Sequence, residues 1–156
     1  MQESQNEMEV VAMINKILVA LDNSDISDKV MFQALELAGL YRAQLMAVSV
    51  INYSALSEFD PASSGTVLSE VVYNWTDSFQ KGLDKCERLA KERNIGCVPA
   101  MLSGIPAEEI IRYAQENKAD LIVMGHIGKT AAAGLLLGSV SQGVSAHSKC
   151  SVMIVK

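Results

Sequence analysis

The sequence has little of what marks a disulfide-stabilised, zinc-binding or nucleic-acid-binding protein. Among its 156 residues there are only three cysteines, Cys86, Cys97 and Cys150, scattered without a Cys-x-x-Cys pair. Such a set predicts free, buried thiols in a reducing compartment rather than a disulfide framework or a zinc site. Lysine and arginine number 13 against 18 acidic residues. The net charge of −5 argues against a nucleic-acid-binding protein, which needs a basic surface.

Two kinds of apolar segment are also missing. Residues 1–13 are polar and acidic, and they lack the basic region and apolar stretch of a secretory signal peptide. The longest apolar run, around AAAGLLLG, is far shorter than the roughly 20 residues of a membrane-spanning helix. We therefore expect a flexible acidic leader over residues 1–13 and a single domain over residues 14–156. We expect no membrane attachment and a cytoplasmic location.

Five short apolar runs rich in valine, isoleucine and leucine predict β-strands. They occupy residues 16–22, 44–51, 97–102, 120–125 and 151–156. The runs KILVAL, LIVM and VMIV are nearly continuous rather than alternating, which is typical of strands buried on both faces. Pro99 has no backbone N–H for a ladder, so the third strand is predicted at an edge of the sheet.

Helical periodicity separates these strands. The apolar stripe after the first strand consists of Val30, Ala34, Leu37, Ala38 and Tyr41. A longer stripe after the second strand consists of Val71, Trp75, Phe79, Gly82, Cys86 and Leu89. A third helix opens at Pro106 and carries Ile110, Ile111 and Ala114. A fourth is predicted after Gly138. The methionines expected to fill the core are Met31, Met46, Met101 and Met153.

Alternating strands and helices predict an α/β fold with an open, parallel, five-stranded sheet and helices on both faces. With right-handed crossovers, the strand order is predicted to be 3-2-1-4-5. The helices then change faces between strands one and four, and ligands bind at such a switch beyond the carboxyl ends of the strands. Asp22 ends the first strand and Gly125 the fourth, so these residues should meet there. Residues 52–66, without periodicity, predict a long loop at the same edge.

The segment GHIGKTAAAGLLLGS contains Gly-Lys-Thr but is not a Walker phosphate loop. That motif needs a glycine five residues before Gly128, where Val123 stands within a predicted strand. The observed spacing is Gly125, two residues, Gly128, nine residues, and then Gly138 followed by Ser139. Glycines at the first two positions allow a ligand to touch the backbone, although ordinary turns use glycine in the same way.

Gly138 and Ser139 are predicted at the N-terminus of the fourth helix, where backbone N–H groups attract an anion. Ser139 and Ser141 add hydroxyl donors, while Ser139 is equally consistent with an ordinary N-cap. The small and apolar residues 129–137 are predicted to form a flexible flap that closes round phosphates. Lys129 is either a phosphate contact or a solvated lysine of that flap.

Asp22 offers a carboxylate at the end of the first strand. There it can accept a hydrogen bond from a ribose hydroxyl or take part in holding Mg²⁺ near phosphates. Its alternative role is to cap the next helix, for which Asp25 and Ser27 are better placed. His126 is either a ligand contact or a surface residue.

From Lys16 to Lys156 the chain resembles a universal stress protein domain of the ATP-binding branch. The likeness rests on KILVALDNSDIS, on SGIPAEEIIRYAQENKADLIVMG, and on the glycine spacing followed by VSQGVSAHSKCSVMIVK. The resemblance implies a fold like that of the adenine nucleotide alpha hydrolases, Rossmann-like, and bound ATP, AMP or ADP, with or without Mg²⁺. The residues implied to bind the nucleotide are Ala20, Leu21, Asp22, Val50, Met124, Gly125, Gly128, Lys129, Gly138, Ser139, Val140 and Ser141.

Three departures from the family pattern concern the base and ribose contacts. Ala20 and Leu21 precede Asp22, where the family commonly has proline followed by threonine or valine. Ser49 stands where a histidine is common in the second strand. His126 lies one place earlier than the histidine that often precedes the second glycine. The phosphate half of the pattern is intact.

The resemblance also implies a homodimer that pairs through the final strand, SVMIVK. An apolar terminal edge strand would otherwise be exposed to unwanted pairing. Three functions stay open: a nucleotide-dependent regulatory or stress-response dimer, a slow ATPase, and a dimeric interaction module that binds no nucleotide. No catalytic residue is assigned, because GHIGKTAAAGLLLGS holds no arginine, glutamate or glutamine to support hydrolysis.

Overall fold

The computed structural model describes residues 14–53, 65–128 and 137–156. In chain order the helices and strands are β1 (Lys16–Ala20), α1 (Ser27–Tyr41), β2 (Gln44–Ile51), α2 (Gly65–Glu92), β3 (Cys97–Ser103), α3 (Pro106–Glu116), β4 (Leu121–Gly125), α4 (Ser139–His147) and β5 (Ser151–Val155). The expected leader and nearly all of the expected flap lie outside the described residues. So does most of the loop expected over residues 52–66, and its last two residues belong to α2.

The sheet confirms the predicted topology. All of its strands are parallel, in the order β3-β2-β1-β4-β5. In the central strand, Leu18 is paired with Met46 of β2 on one side and with Ile122 of β4 on the other. The third strand lies at an edge as predicted, and Pro99 is paired there with Ala47. β1 ends two residues earlier than expected, which leaves residues 21 and 22 beyond the strand at its carboxyl end.

Side chains alternate along each strand, so the sheet has two separate apolar faces. One face packs against α1 and α2, with Ile17 and Val19 of β1 in its core. The other packs against α3 and α4, with Leu18 at its centre. Helices therefore cover both faces, as predicted. Of the described helices, none is both long and apolar enough to cross a membrane.

Three residues expected in the core are exposed. They are Tyr41, Val71 and Met153. Tyr41 is the last residue of α1, Val71 lies near the start of α2, and Met153 belongs to an edge strand, so each lies at a margin of the packed layers. The expectation holds for Met31 and Met46, which are buried. Met101 packs against the core from a partly buried position.

The cysteines are free thiols, but only Cys86 is fully buried, whereas Cys97 and Cys150 are half-buried. Although Cys86 lies on α2 and Cys97 at the start of β3, the two thiols influence each other's ionisation, which the scattered spacing did not predict. Interaction with the Cys97 thiol, together with burial, raises the pKa of Cys86. Interaction with the Cys86 thiol lowers the pKa of Cys97 because it stabilises the Cys97 thiolate.

We predict that native protein treated with iodoacetamide at about pH 8 reacts faster at Cys97 than at Cys86. A thiolate is the reactive form, and Cys97 has both the lower pKa and the greater exposure. Peptide mass spectrometry over a time course measures both rates. In urea-unfolded protein the two cysteines should react alike. Equal rates in the native protein would contradict the prediction.

Candidate functional site

A cavity of about 600 Å³ opens at the carboxyl edge of the sheet, where β1 and β4 end. Its volume lies within the range of small-molecule binding sites, roughly 300–1,000 Å³. The cavity walls come from the ends of β1, β2 and β4, from the first turn of α1, from α2, and from the starts of α3 and α4. This position is the switch point that the strand order predicts.

The structure brings together most of the residues that the sequence indicates. Those that line the cavity are Ala20, Leu21, Asp22, Val50, Met124, Gly125, Gly128, Gly138, Ser139, Val140 and Ser141. Lys129 lies outside the described residues. Residues more than 100 positions apart in the chain therefore meet in one cavity, because parallel strands deliver their carboxyl ends to the same edge.

Asp22 is the one charged residue among the described residues that line the cavity. Its Oδ1 accepts hydrogen bonds from the backbone N–H of Ser24 at 3.0 Å and from the Ser27 hydroxyl at 2.9 Å. The expectation that Asp25 or Ser27 caps α1 is wrong, since Ile26 occupies the N-cap position without a side-chain hydrogen bond. Ser27 instead orients the Asp22 carboxylate, because the turn after β1 places the two side chains together.

Glycine occupies two positions where β4 ends and the backbone passes close to the side chains of the β1 end and the turn after it. A Cβ atom on Gly128 would lie 2.9 Å from Asp22 Oδ2, and one on Gly125 would lie 2.6 Å from Ile26 Cδ1. Both distances are shorter than a Cβ atom tolerates. The glycines thus allow the backbone after β4 to lie directly beside the carboxylate at the end of β1.

The start of α4 is held against the end of β4. Gly138 is the N-cap, and its N–H donates to the carbonyl of His126 at 2.7 Å. The first turn of a helix has N–H groups without an acceptor inside the helix, here those of Ser139, Val140 and Ser141. The predicted helix N-terminus at the cavity is therefore present, with the positive end of its dipole at the cavity wall.

The sequence predicted that the Ser141 hydroxyl would donate a hydrogen bond to a bound anion, but the structure gives this hydroxyl other acceptors. Its side chain is buried, and its Oγ lies 2.7 Å from the carbonyl oxygen of His126 and 2.9 Å from that of Gly138, as the donor to both. The hydroxyl proton is thus used to join α4 to the end of β4. Ser139 is exposed, so its hydroxyl is the better candidate donor to a ligand.

His126 is not part of the cavity wall, where its neighbour Ile127 lies instead. Its Nδ1 is 3.2 Å from the carbonyl oxygen of Val155, on the side of β5. The departure in histidine position noted in the sequence therefore directs this ring away from the cavity. Ser49, the other departure, is buried and donates its hydroxyl to the carbonyl of Leu21 at 2.8 Å. It holds the end of β1 against β2.

Several cavity residues were not predicted from the sequence. They are Ser24, Ser27, Val30, Val48, Asn52, Trp75, Ser78, Phe79, Ile105, Pro106, Ala107, Ile110 and Ile127. The helical spacing of Trp75 and Phe79 does predict that both are on the apolar face of a helix, but that face was interpreted as part of the core. The residues at the start of α3 lie just beyond the carboxyl end of β3, at the same edge of the parallel sheet as the cavity, and this topology was the signal that identifies them.

No group of three or more potential metal-ligating side chains occurs within residues 14–53, 65–128 and 137–156. Asp22 is the single carboxylate on the described part of the cavity wall. A divalent cation bound here would therefore take most of its ligands from a phosphorylated ligand and water, as Mg²⁺ commonly does.

A model of the universal stress protein family matches residues 13–156. A universal stress protein of Methanocaldococcus jannaschii is 35% identical over 141 residues, covering 90% of this chain and 81% of that protein. The structure of the universal stress protein UspA from Lactobacillus plantarum superposes with a TM-score of 0.80 at 26% identity, covering 92% of this chain and 98% of that one. A universal stress protein in complex with cAMP has a TM-score of 0.65 at 26% identity, covering 92% and 97%.

Proposed function

Because the chain belongs to the universal stress protein family, we propose that it is a regulatory stress-response protein that binds an adenine nucleotide in the cavity described above. The observation that carries this proposal is the meeting of Gly125, Gly128 and the N-terminus of α4 in one cavity beside Asp22. Backbone at such a site approaches a ligand closely, and a helix N-terminus favours phosphate. The cAMP complex of a related protein supports an adenine nucleotide as the ligand class.

The phosphate groups are proposed to lie between Gly128 and the start of α4. The N–H groups of Ser139 and Val140 and the Ser139 hydroxyl are the donors on this side, and Lys129 is proposed to add a positive charge. Binding a polyanion in a chain of net charge −5 requires local donors rather than long-range attraction. Backbone amides at a helix N-terminus supply that local attraction.

The ribose and base are proposed to lie toward Asp22 and β2. Asp22, whose carboxylate lines the cavity, accepts a hydrogen bond from a ribose hydroxyl. The main chain of Val50 meets the edge of the base, and Ala20, Leu21 and Met124 supply apolar contacts. When Mg²⁺ is present, it is held by the phosphates and Asp22.

A homodimer that forms through β5 is also proposed. β5 is an edge strand in the described sheet, and Met153 on it is exposed. Pairing this edge with a second copy would cover both its backbone groups and its apolar side chains. The free thiols of Cys86, Cys97 and Cys150 favour a reducing compartment, and we propose the cytoplasm.

Equilibrium dialysis with labelled ATP, with and without Mg²⁺, tests the nucleotide proposal. We expect saturable binding. At ATP near one hundred times Kd, the linkage of binding to folding gives about 2.7 kcal/mol, or a rise in Tm of roughly 5–10 °C. Denaturing freshly purified protein and identifying what it releases distinguishes ATP, ADP and AMP. Absence of both saturable binding and a thermal shift at millimolar ATP would refute the proposal and favour an interaction module without nucleotide.

A further inference from the structure

The cavity extends around the end of β1 to both faces of the sheet. Val48, Val50 and Met124 belong to the side chains that pack with the α3/α4 core, and the nucleotide contacts proposed above lie on that side or at the strand ends. On the other side, α2 contributes Trp75 and Phe79 to the cavity wall. This aromatic wall, defined by Trp75 and Phe79, is unused by the nucleotide contacts proposed so far.

The aromatic wall is fixed to the loop that carries Asp22. Asn23 has a positive φ of 55°, and its side-chain amide donates to the carbonyl oxygen of Ser78 and, at 2.9 Å, to the Ser78 hydroxyl. Gly82 makes this approach possible, because a Cβ atom there would lie 2.5 Å from Asn23 Oδ1. Asn23 follows Asp22, the proposed ribose contact. Through its hydrogen bonds to Ser78, Asn23 holds α2 in place next to Phe79 of the aromatic wall.

Trp75 and Val50 line the same cavity, Trp75 from α2 and Val50 from the end of β2. Trp75 therefore borders the space in which the base is proposed to meet the main chain of Val50.

We propose that Trp75 is a specificity-determining residue that packs its indole ring against the base of the bound nucleotide. This inference rests on the proposed function. The half-buried Trp75 presents a flat apolar surface, and buried Phe79, one helical turn deeper, supports it from below. An aromatic wall recognises a planar ring but has no attraction for phosphate, so it separates nucleotides from inorganic polyphosphates.

The test measures the affinities of ATP and of inorganic triphosphate for the full-length protein and its variants. Trp75→Leu removes the ring but keeps an apolar side chain, and stacking energies predict about ten-fold weaker ATP binding. The affinity for triphosphate should not change. Trp75→Phe should keep most of the ATP affinity. Tyr73→Leu is the matched control, since Tyr73 lies on the same helix but is 70% exposed and outside the cavity wall.

Fluorescence of the unmodified protein gives a second measurement that needs no variant. Trp75 is the single tryptophan of the chain, so all indole emission comes from it. We expect a saturable change in emission with ATP, at the Kd found by dialysis, and none with triphosphate. Two results would overturn this inference but not the proposed function. One is saturable ATP binding without a change in emission, and the other is an ATP affinity of Trp75→Leu equal to that of wild type. No ATP binding to wild type would overturn the proposed function and the inference with it.

Discussion

Replacing Gly128 with valine is expected to abolish nucleotide binding while leaving the protein folded. The new Cβ atom would lie 2.9 Å from Asp22 Oδ2, so either the carboxylate or the turn must move. Its two methyl groups would occupy the space in which phosphate is proposed to meet the backbone. Both proposed contacts, the backbone at Gly128 and the Asp22 carboxylate, are disturbed by this one substitution.

The fold should survive because the displaced group is the end of a flexible side chain. If the Asp22 carboxylate rotates, it loses the hydrogen bonds from Ser24 and Ser27, at a cost of about 1–3 kcal/mol. For a domain of this size, that corresponds to a fall in Tm of roughly 2–12 °C. Far-ultraviolet circular dichroism should show unchanged secondary structure at 25 °C.

Gly96→Val is the matched control for this variant. Gly96 is exposed, its φ is not in the left-handed region, and a Cβ atom there would have no neighbour within 4 Å. We expect this control to bind ATP like wild type in equilibrium dialysis. An unchanged Kd for Gly128→Val would show that the glycine at this position serves only the turn, and the proposed phosphate site would then be wrong.

The fold was largely predictable because its signals are local and repeated. Short apolar runs rich in valine, isoleucine and leucine predicted each of the five described strands, and the alternation of strands with helices left few topologies. Pro99 correctly indicated an edge strand, since proline cannot donate to a central ladder. Errors occurred at margins, where β1 ends before residue 21 and α2 begins at Gly65. Strand ends depend on loop contacts that no local pattern records.

The site was predictable only in part. The glycine spacing and the ends of β1 and β4 identified one side of the cavity, because topology alone brings strand ends together. The aromatic wall was missed, since Trp75 and Phe79 follow a helical stripe that serves equally well for a core. The direction of the Ser141 hydroxyl was also unpredictable, because it depends on the carbonyls of His126 and Gly138 in three dimensions.

The face that α1 buries illustrates the same limit. Periodicity predicted a stripe that ends at Tyr41, but Tyr41 is 49% exposed. The buried residues of the helix are Ser27, Val30, Met31, Ala34, Leu35 and Ala38. This face is the predicted stripe rotated toward Met31 and Leu35. A helical period indicates that one face is apolar, whereas the centre of the buried face depends on how the helix packs on the sheet.

Leu35→Ala is therefore expected to destabilise the protein strongly, by about 3 kcal/mol, because it leaves a cavity in the α1/α2 core. Leu35 is 1% exposed and packs among the side chains of α1, α2 and the sheet. For a domain of this size, the loss corresponds to a fall in Tm of roughly 6–12 °C. Urea unfolding followed by circular dichroism measures the change, and the m-value should stay constant.

Leu40→Ala on the same helix separates burial from helix propensity. Leu40 is 79% exposed, so the identical chemical change there removes no core contact. Its effect should stay within about 0.5 kcal/mol, as for most surface substitutions. Equal losses for the two variants would mean that α1 is not packed on the sheet through Leu35. Val30 lies on the same buried face of α1 and also lines the cavity. Equal losses would therefore also mean that the position of α1 in the cavity wall is wrong.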